Sequence, residues 1–497
     1  MTMNYLSTRN KDLRMTAPQA IAKGLAPDGG LMTPAVLPRL PISAVETMKE
    51  MSYQQRMVYI MNSFLEGFAA SELTAYASEA YGGGKFSHED IAPVRKLDES
   101  TYCLELWHGP TCAFKDMALQ ILPHLLTASL DKNDEKKTVC ILVATSGDTG
   151  KAALEGFRNV DKTKILVFYP KDGVSEIQEL QMVTQEGGNV GVCSVAGNFD
   201  DAQAGVKTLF ADEELAGELA ERGYFLSSAN SINWGRVLPQ IVYYASAYCD
   251  LLKSEAITKG QAVNVCVPTG NFGNILAAYY AKAMGIPINR LICASNQNNV
   301  LTDFIHTGTY DRNRTFYNTI SPSMDILISS NLERMLFELS GRDDRLVREY
   351  MSQLAEYGSY RVDSSIRTKL KRLFIAGSCD DQQTQAMIAR MWNERNYLID
   401  PHTAVAFHVL EEYRAESGDD TPTVVVSTAS PFKFCSSVLS ALGVKEQKSG
   451  LDILDQLTEV TGVPTPAPLA RLKKRRRRFD TVADKAAMKG CVLDFLK

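Results

Sequence analysis

The sequence predicts an α/β fold built on parallel sheets, preceded by a mainly helical N-terminal domain. From residue 139 onward, apolar runs of strand length alternate with stretches of helical spacing. This alternation is typical of βαβ units, whose parallel sheets are covered by helices on both faces. The chain has 497 residues, which is more than one small core requires, so we expect two or three domains.

The elements follow in order along the chain. Helical spacing over residues 42–59 and 71–80 ends at the glycines 82–84 and predicts an N-terminal domain over residues 1–95, followed by a core over 96–497. Four apolar runs in the core predict strands that precede helices: 139–143 before a helix from Thr149, 165–169 before one from Ser175, 263–267 before one from Asn274, and 424–426 before one from Phe434. Ligands of such sheets bind where strands end and helices begin.

Composition and charge argue against several classes of protein. Hydrophobic residues make up 45% and charged residues 22% of the chain, and the net charge of -5 gives no reason to expect nucleic acid or an anionic membrane as partner. No apolar run approaches the roughly 20 residues that span a bilayer, and the first residues lack the pattern of a secretory signal. The ten cysteines form no CxxC pair and no zinc-like cluster, so we expect reduced thiols, no metal site and a cytoplasmic protein.

One basic run, Lys473 to Arg478, interrupts this ordinary composition. A nucleic-acid patch or a localisation signal is one interpretation. The run is short and lacks the interleaved aromatic residues that stack on bases. We therefore favour a solvated loop before the final helix.

The segment 108–116, His-Gly-Pro-Thr-Cys-Ala-Phe-Lys-Asp, places Lys115 between a Gly-Pro turn and an apolar helical run. Burial at such a position disfavours the charged form and lowers the pKa, as an amine that forms a Schiff base requires. A solvated surface lysine is the common alternative.

Two strand-to-helix junctions carry hydroxyl groups suited to an anion or a cofactor. At residues 144–150, Ser146 and Thr149 lie beside Gly147 at a helix N-terminus, where the dipole favours negative charge. At residues 426–431, Ser427 or Thr428 could present a hydroxyl to a ring nitrogen. Ordinary helix capping explains either junction taken alone.

The junction at residues 268–274 favours a phosphate group. Gly270 and Gly273 permit a nest of N–H groups around an anion. The loop is not a Walker A motif, since no Gly-Lys-Ser/Thr follows, and it is not a GxGxxG fingerprint. We therefore expect one phosphate group and not a nucleotide, with an ordinary strand-to-helix turn as the alternative.

Together, these features predict pyridoxal phosphate as cofactor. A lysine would form a Schiff base with the aldehyde of the cofactor. A glycine turn would bind its phosphate, and a hydroxyl would face its pyridine nitrogen. No carboxylate stands out for that nitrogen. A hydroxyl partner leaves the ring less firmly protonated, an environment usual for elimination and replacement chemistry.

At these motifs the chain resembles the threonine synthase family of fold-type-II pyridoxal-phosphate enzymes. The motifs occur in the family's order at residues 5–9, 24–31, 108–116, 144–150, 230–236, 268–274, 400–405 and 427–429. The separate N-terminal domain resembles the family's longer form. The resemblance implies two α/β lobes around a central cleft, with the smaller lobe, at about residues 135–235, inserted in the larger.

The resemblance also implies an activity, the last step of threonine biosynthesis. O-phospho-L-homoserine and water would be converted to L-threonine and phosphate by β,γ-elimination and replacement. Lys115 would bind the cofactor aldehyde and then act as the base that moves protons. A dry, closing cleft is expected, because water must attack Cβ without hydrolysing the intermediate early.

The resemblance assigns further residues to the cofactor and the substrate. The cofactor would contact Asp148, Thr428 at the pyridine nitrogen, and the phosphate loop of Gly270, Asn271, Phe272, Gly273 and Asn274. Ser146 and Thr149 would lie near the substrate carboxylate or the cofactor's phenolic oxygen. Candidates for the substrate phosphate are Ser231, Asn233 and Arg236, the last because a guanidinium grips phosphate with two donors.

Two rival interpretations stay open. A related phospho-lyase would release 2-oxobutyrate in place of threonine. A non-catalytic paralogue would commonly lack the Schiff-base lysine, whereas Lys115 and the phosphate-loop glycines are present. The sequence also leaves open whether the protein is a monomer or a homodimer, and whether Asp400 and His402 only cap a helix and fill a core.

Overall fold

Three short strands and four helices begin the chain in the computed structural model, which describes residues 3–171 and 173–497. Met1 and Thr2, where the predicted N-terminal domain would start, lie outside the described residues. The elements are β1 (Tyr5–Ser7), β2 (Asn10–Met15), α1 (Ala17–Lys23), β3 (Met32–Pro34), α2 (Ile42–Lys49), α3 (Tyr53–Asn62) and α4 (Ala70–Tyr81). The helical spacing over 42–59 is divided between α2 and α3, because the Ser52 side chain caps α3 by accepting from the Gln55 N–H.

The next part of the chain alternates strands and helices up to a long central helix. Its elements are β4 (Val94–Lys96), β5 (Thr101–Glu105), α5 (Asp116–Leu119), α6 (Leu122–Lys132), β6 (Thr138–Ala144), α7 (Asp148–Gly156), β7 (Thr163–Pro170), α8 (Glu176–Val183), β8 (Val190–Val195), α9 (Phe199–Ala211), α10 (Glu213–Glu221), β9 (Tyr224–Ser227) and α11 (Trp234–Lys253).

The remainder continues the alternation and ends in short helices. Its elements are β10 (Val263–Pro268), α12 (Gly273–Met284), β11 (Ile288–Ser295), α13 (Val300–Thr307), β12 (Thr309–Asp311), α14 (Leu332–Leu339), α15 (Asp344–Tyr357), β13 (Ser359–Arg361), α16 (Ser364–Leu373), β14 (Phe374–Ser378), α17 (Asp381–Arg395), α18 (Pro401–Ser417), β15 (Thr423–Ser427), α19 (Cys435–Ala441), α20 (Ile453–Thr461), α21 (Ala467–Ala470), β16 (Val482–Ala483) and α22 (Met488–Phe495). Short 3-10 turns lie at Pro322–Met324, Pro431–Phe434, Gly450–Asp452, Arg471–Lys474 and Lys485–Ala487.

Two mainly parallel sheets confirm the predicted α/β fold. The larger has six strands in the order β14-β11-β10-β15-β5-β4, and β4 is its antiparallel edge. The smaller has five parallel strands in the order β16-β8-β7-β6-β9. It takes β6 to β9 from the predicted smaller lobe, but β16 comes from the C-terminal region, which the prediction left out. The domain boundaries themselves stay predictions.

Strand β6 shows why the parallel strands appear as continuous apolar runs. Val139, Ile141 and Val143 pack in one cluster with α7, while Cys140 and Leu142 pack in another with α9. Both faces of the strand are therefore covered, and residues 139–143 are all apolar and buried.

The sheet order brings the predicted junctions together. Strands β10, β15 and β5 are neighbours and run parallel, so their carboxyl ends meet at one edge of the larger sheet. The phosphate loop follows β10, the hydroxyl junction follows β15, and the lysine segment follows β5. The junction at residues 144–150 follows β6 of the smaller sheet.

Five of the six residues of the basic run are exposed, which agrees with the predicted solvated loop before the final helix, and the run lies along α8 and the loop that follows it. Arg477 pairs with Glu179, and the Arg478 N–H donates to the Val183 carbonyl at 2.8 Å. Lys473 pairs with Asp452 and Asp455 on another helical segment. Within residues 3–171 and 173–497, every helix is too short or too polar to cross a bilayer.

Candidate active site

A cavity of about 320 Å³ lies where the segments after β5, β6, β10 and β15 meet. Most of the residues singled out in the sequence line it, namely Lys115, Ser146, Asp148, Thr149, Ser231, Arg236, Gly270, Asn271, Phe272, Gly273, Asn274 and Thr428. Of the residues assigned to the cofactor or the substrate, Asn233 does not line the cavity, and neither does Ser427, the alternative to Thr428. Segments that are far apart in the chain thus form one site.

The turn before Lys115 is held by a carboxylate. Asp116 accepts hydrogen bonds from the Thr111 N–H at 2.8 Å and the Thr111 hydroxyl at 2.7 Å. A Cβ on Gly109 would lie 2.5 Å from Asp116 Oδ2, so only glycine fits there without a shift. This packing fixes the direction in which Lys115 leaves the turn.

The Lys115 amine is buried in the cavity wall, with the residue 8% exposed. Its Nζ lies 3.6 Å from Asp148 Oδ2 and 4.6 Å from the centroid of the Phe114 ring. Burial lowers the pKa of Lys115; Asp148 opposes this, while the cations of Lys433 and Arg236 lower the pKa further. A lowered pKa favours the neutral amine that a nucleophile or base requires.

Asp148, the first residue of α7, is held by three side chains. Its Oδ1 accepts from Lys433 Nζ and from Gln178 Nε2, both at 2.9 Å, and its Oδ2 faces Lys115. Burial alone would raise the pKa of Asp148, but the two lysines outweigh it and hold this pKa below its ordinary value. Asp148 is therefore a buried, ionised carboxylate at the cavity.

In the loop before Asp148, a threonine hydroxyl binds two of the backbone N–H groups. Thr145 Oγ1 accepts from the N–H groups of Gly147 at 3.0 Å and Gly150 at 2.9 Å, so these two donors are not available for an anion. Gly147 has a φ of +130°, and a Cβ there would lie 2.5 Å from the Gln178 side chain. The hydroxyls of Ser146 and Thr149 remain on the cavity wall.

The loop at residues 270–274 has free donors. Among the described residues, the N–H groups of Asn271, Phe272, Gly273 and Asn274 donate to no backbone carbonyl or side chain. Phe272 adopts the left-handed conformation, with φ 60°, and its ring is buried against Phe374. Helix α12 then begins at Gly273, so free N–H groups and a positive helix end lie together, as a phosphate site requires.

The side chain of Asn274 supports the same assignment. Its Oδ1 accepts from the hydroxyls of Tyr243 and Tyr244, while its buried Nδ2 has no partner in the described part of the chain. An unsatisfied buried donor on a cavity wall is costly unless a ligand takes it.

Thr428 also lines the cavity and is 6% exposed. Its carbonyl accepts from the Phe114 N–H at 2.7 Å, and Ala113 and Ala429 form an isolated bridge. The lysine segment is thus tied directly to the end of β15, which places Lys115 and Thr428 on the same side of the cavity.

Arg236 is a buried guanidinium without a carboxylate. It is 3% exposed, donates to the Ala229 carbonyl, and has no salt bridge among the described residues. Its Nε is buried and unpartnered. Burial lowers the pKa of Arg236 to about 10. A buried cation that faces a cavity and lacks a counter-ion is suited to bind an anionic ligand.

The structure corrects the prediction for Asn233. Its side chain caps α11 by accepting from the Gly235 N–H at 2.9 Å and donates to the Ile21 carbonyl at 3.0 Å. Both of its polar groups are therefore used inside the fold, away from the cavity. Ser231 remains a candidate, because its partly buried side chain lines the cavity, where its hydroxyl accepts a hydrogen bond from Asn331 Nδ2 at 3.2 Å.

Asp400 and His402 have structural contacts beside the site. Asp400 caps α18 and accepts from His402 Nδ1 at 2.7 Å, while His402 Nε2 accepts from the Ser323 N–H at 3.2 Å. The pair holds the Ser323 segment against the phosphate loop, since a Cβ on Gly270 would lie 2.9 Å from the Ser323 carbonyl oxygen.

Several polar residues at the site are not indicated by any sequence motif, among them Lys433, Gln178 and Gln240. Lys433 is fully buried and Gln178 is 1% exposed, and both hold Asp148. Gln240 lines the cavity one helical turn after Arg236. Only the spacing of Arg236 and Gln240, i and i+4 on one helix face, could have indicated any of them.

Replacing Gly270 with alanine should weaken cofactor binding. The added Cβ would meet backbone atoms of Ser323 and Met324 at 2.9 Å and 3.2 Å, so the phosphate loop itself must move. We expect a loss of about 1–3 kcal/mol in binding free energy for pyridoxal phosphate, measured by spectroscopic titration. Gly217→Ala is the matched control, because its Cβ would meet no atom within 4 Å. Equal affinities for the two variants would contradict the assignment of this loop.

Three protein-family models match the chain in sequence order. They are described as threonine synthase N terminus, over residues 4–81, pyridoxal-phosphate dependent enzyme, over residues 89–365, and threonine synthase, C-terminal, over residues 403–492.

Individual relatives agree with these models. Threonine synthase of Pseudomonas aeruginosa is 37% identical over 486 residues, which cover 98% of this chain and 97% of that protein. Threonine synthase-like 1 of Homo sapiens is 42% identical over 438 residues, which cover 86% of this chain, but this chain spans only 58% of the human protein. The crystal structure of pyridoxal-phosphate-bound threonine synthase from Brucella melitensis is 36% identical, with a TM-score of 0.88 and 100% of both chains covered.

Proposed function

The chain belongs to the threonine synthase family, and from this membership we propose that it converts O-phospho-L-homoserine and water to L-threonine and phosphate, with pyridoxal 5'-phosphate as cofactor. One observation carries the proposal. The buried Arg236, which has no carboxylate partner among the described residues, faces the same cavity as the buried amine of Lys115. An amine and a receptor for an anion in one cavity fit an amino acid that carries a phosphate.

The residues present fit the cofactor. The free N–H groups of residues 271–274 and the unpartnered Asn274 Nδ2 would hold its phosphate, Lys115 its aldehyde carbon, and Thr428 its ring nitrogen. When bound, the cofactor supplies an aldehyde for amines and a ring that stabilises negative charge on a neighbouring carbon.

The chain's own residues supply the proton transfers. Lys115, with its lowered pKa, can accept a proton from Cα of the substrate; once it has given that proton up, the neutral amine can accept one from Cβ, because a long side chain reaches two adjacent carbons. Arg236 would hold the phosphate both before and after it leaves Cγ. As the Cγ–O bond breaks, negative charge builds up on the bridging oxygen of the phosphate, and the guanidinium would stabilise that charge.

A second candidate is a phospho-lyase that releases 2-oxobutyrate and phosphate from the same substrate. Both reactions need the same lysine and the same phosphate receptor, and they differ in whether water is added at Cβ or hydrolyses the intermediate first.

The product ratio decides between them. The purified chain with pyridoxal phosphate and O-phospho-L-homoserine should release phosphate and threonine in equal amounts. A parallel reaction without the cofactor is the control. Phosphate with 2-oxobutyrate would establish the lyase, and no product in the presence of bound cofactor would overturn both candidates.

We also propose that the protein works in the cytoplasm, as a monomer or a homodimer, without nucleic acid. The ten cysteines are unpaired, which fits a reducing compartment. The side chains of Lys473 and Arg477 in the basic run are engaged by Asp452, Asp455 and Glu179, which leaves less of that charge for a nucleic acid.

A further inference from the structure

Asp148 lies between two lysines, and the two are not equivalent. Lys433 is fully buried, and its Nζ donates to Asp148 Oδ1 at 2.9 Å and to the Thr111 carbonyl at 3.0 Å. Lys115 Nζ lies farther away, 3.6 Å from Asp148 Oδ2, and it faces the cavity. Lys433 is therefore the closer partner of the Asp148 carboxylate, although its side chain does not line the cavity.

The carboxylate of Asp148 and the amines around it are unequal in number. Asp148 is one carboxylate facing two amines, and Gln178, which also donates to it, is neutral. Arg236 acts on Lys115 from α11, and Asp116 lies near Lys433 from α5. Asp148 attracts an ammonium at Lys115, and the positive charge of Lys433, in close contact with the same carboxylate, opposes that attraction.

We propose that Lys433 is a positioning residue whose buried ammonium neutralises Asp148, so that Lys115 stands beside the carboxylate as an uncharged amine. The inference deepens the proposed function, because the base of that reaction must be neutral to accept a proton. Lys433 touches neither substrate nor cofactor in this assignment. It acts on the reaction through Asp148 alone.

Competitive labelling of Lys115 tests the proposal without any turnover. The full-length chain, without cofactor, is treated with trace acetic anhydride at a series of pH values, and peptide mass spectrometry gives the apparent pKa of the Lys115 amine. In Lys433→Met, the carboxylate loses its close partner, so its attraction for a proton on Lys115 grows. We expect the Lys115 pKa to rise by about 1–3 units.

A second variant guards against a loss of fold. Lys433→Met with Asp148→Asn removes both charges together, which avoids a buried unpaired carboxylate, and the Lys115 pKa should return towards the wild-type value. Lys151→Met is the matched control, because Lys151 is 2% exposed but pairs with Glu155 and not with Asp148. Its Lys115 pKa should be unchanged.

The labelling experiment can fail or succeed independently of the proposed function, because it requires no turnover. If the chain turns over O-phospho-L-homoserine, the acid limb of the kcat profile should move to higher pH in Lys433→Met and move back in the double variant. If it does not, the labelling result still stands. An unchanged Lys115 pKa in a folded Lys433→Met protein would overturn the proposal and leave Lys433 a purely structural residue.

Discussion

Lys115→Ala should reduce kcat by at least about 10²–10⁴-fold, the usual contribution of one proton-transferring side chain, and it should also remove the covalent link to the cofactor. Among the residues that line the cavity, Lys115 alone offers an amine that is both buried and low in pKa. The measurement is the initial rate of threonine and phosphate release with saturating O-phospho-L-homoserine and pyridoxal phosphate.

The fold should survive this change. Lys433 still pairs with Asp148 at 2.9 Å when Lys115 is absent, so no buried carboxylate is left unpaired. The thermal midpoint of the variant should therefore stay close to that of the wild type. Lys253→Ala, at the exposed end of α11, is the control and should retain full activity. Threonine production by Lys115→Ala at the wild-type rate would remove Lys115 from the role of base.

The parts of the fold that could be predicted are those with covered faces. Strands β6 and β7 lie inside the smaller sheet and consist almost entirely of buried apolar residues, so their runs at 139–143 and 165–169 are visible in the sequence. Strand β16 has only two residues, Val482–Ala483, and joins the edge of that sheet by backbone pairing with β8. Pairing through the backbone requires no particular side chains, so the sequence of such a short strand carries no recognisable pattern.

The site, like the fold, has parts that could be predicted from the sequence and parts that could not. The loops after β6, β10 and β15 could be predicted, because ligands of α/β sheets bind where the carboxyl ends of parallel strands meet and because glycines or hydroxyls recur at all three junctions. Lys433 could not, since its role depends on Asp148, far away in the sequence. The resemblance makes Asn233 a candidate for the substrate phosphate, but its side chain caps α11 and contacts the Ile21 carbonyl instead.

Arg236→Met should weaken substrate binding without weakening the fold. Loss of a buried charge pair with the substrate phosphate typically costs about 2–5 kcal/mol, which is about a 30-fold rise in KM or more. Affinity for pyridoxal phosphate should change little, because the cofactor phosphate is assigned to residues 270–274. The measurements are KM for O-phospho-L-homoserine and the binding constant of the cofactor.

The stability of the same variant distinguishes a ligand-binding arginine from a structural one. The folded pKa of Arg236, about 10, lies below its ordinary value, so burying the cation costs stability at every pH below about 10. Removal of the Arg236 charge should therefore leave the thermal midpoint unchanged or raise it.

Arg56→Met is the matched control, and the opposite result is expected for it. Arg56 is 4% exposed and pairs with Asp250 at 2.6 Å, so this variant should lose stability and keep its KM. Inorganic phosphate should raise the midpoint of the cofactor-loaded wild type but not that of cofactor-loaded Arg236→Met. A destabilised Arg236→Met protein with an unchanged KM would place this guanidinium in the fold and not in the substrate site.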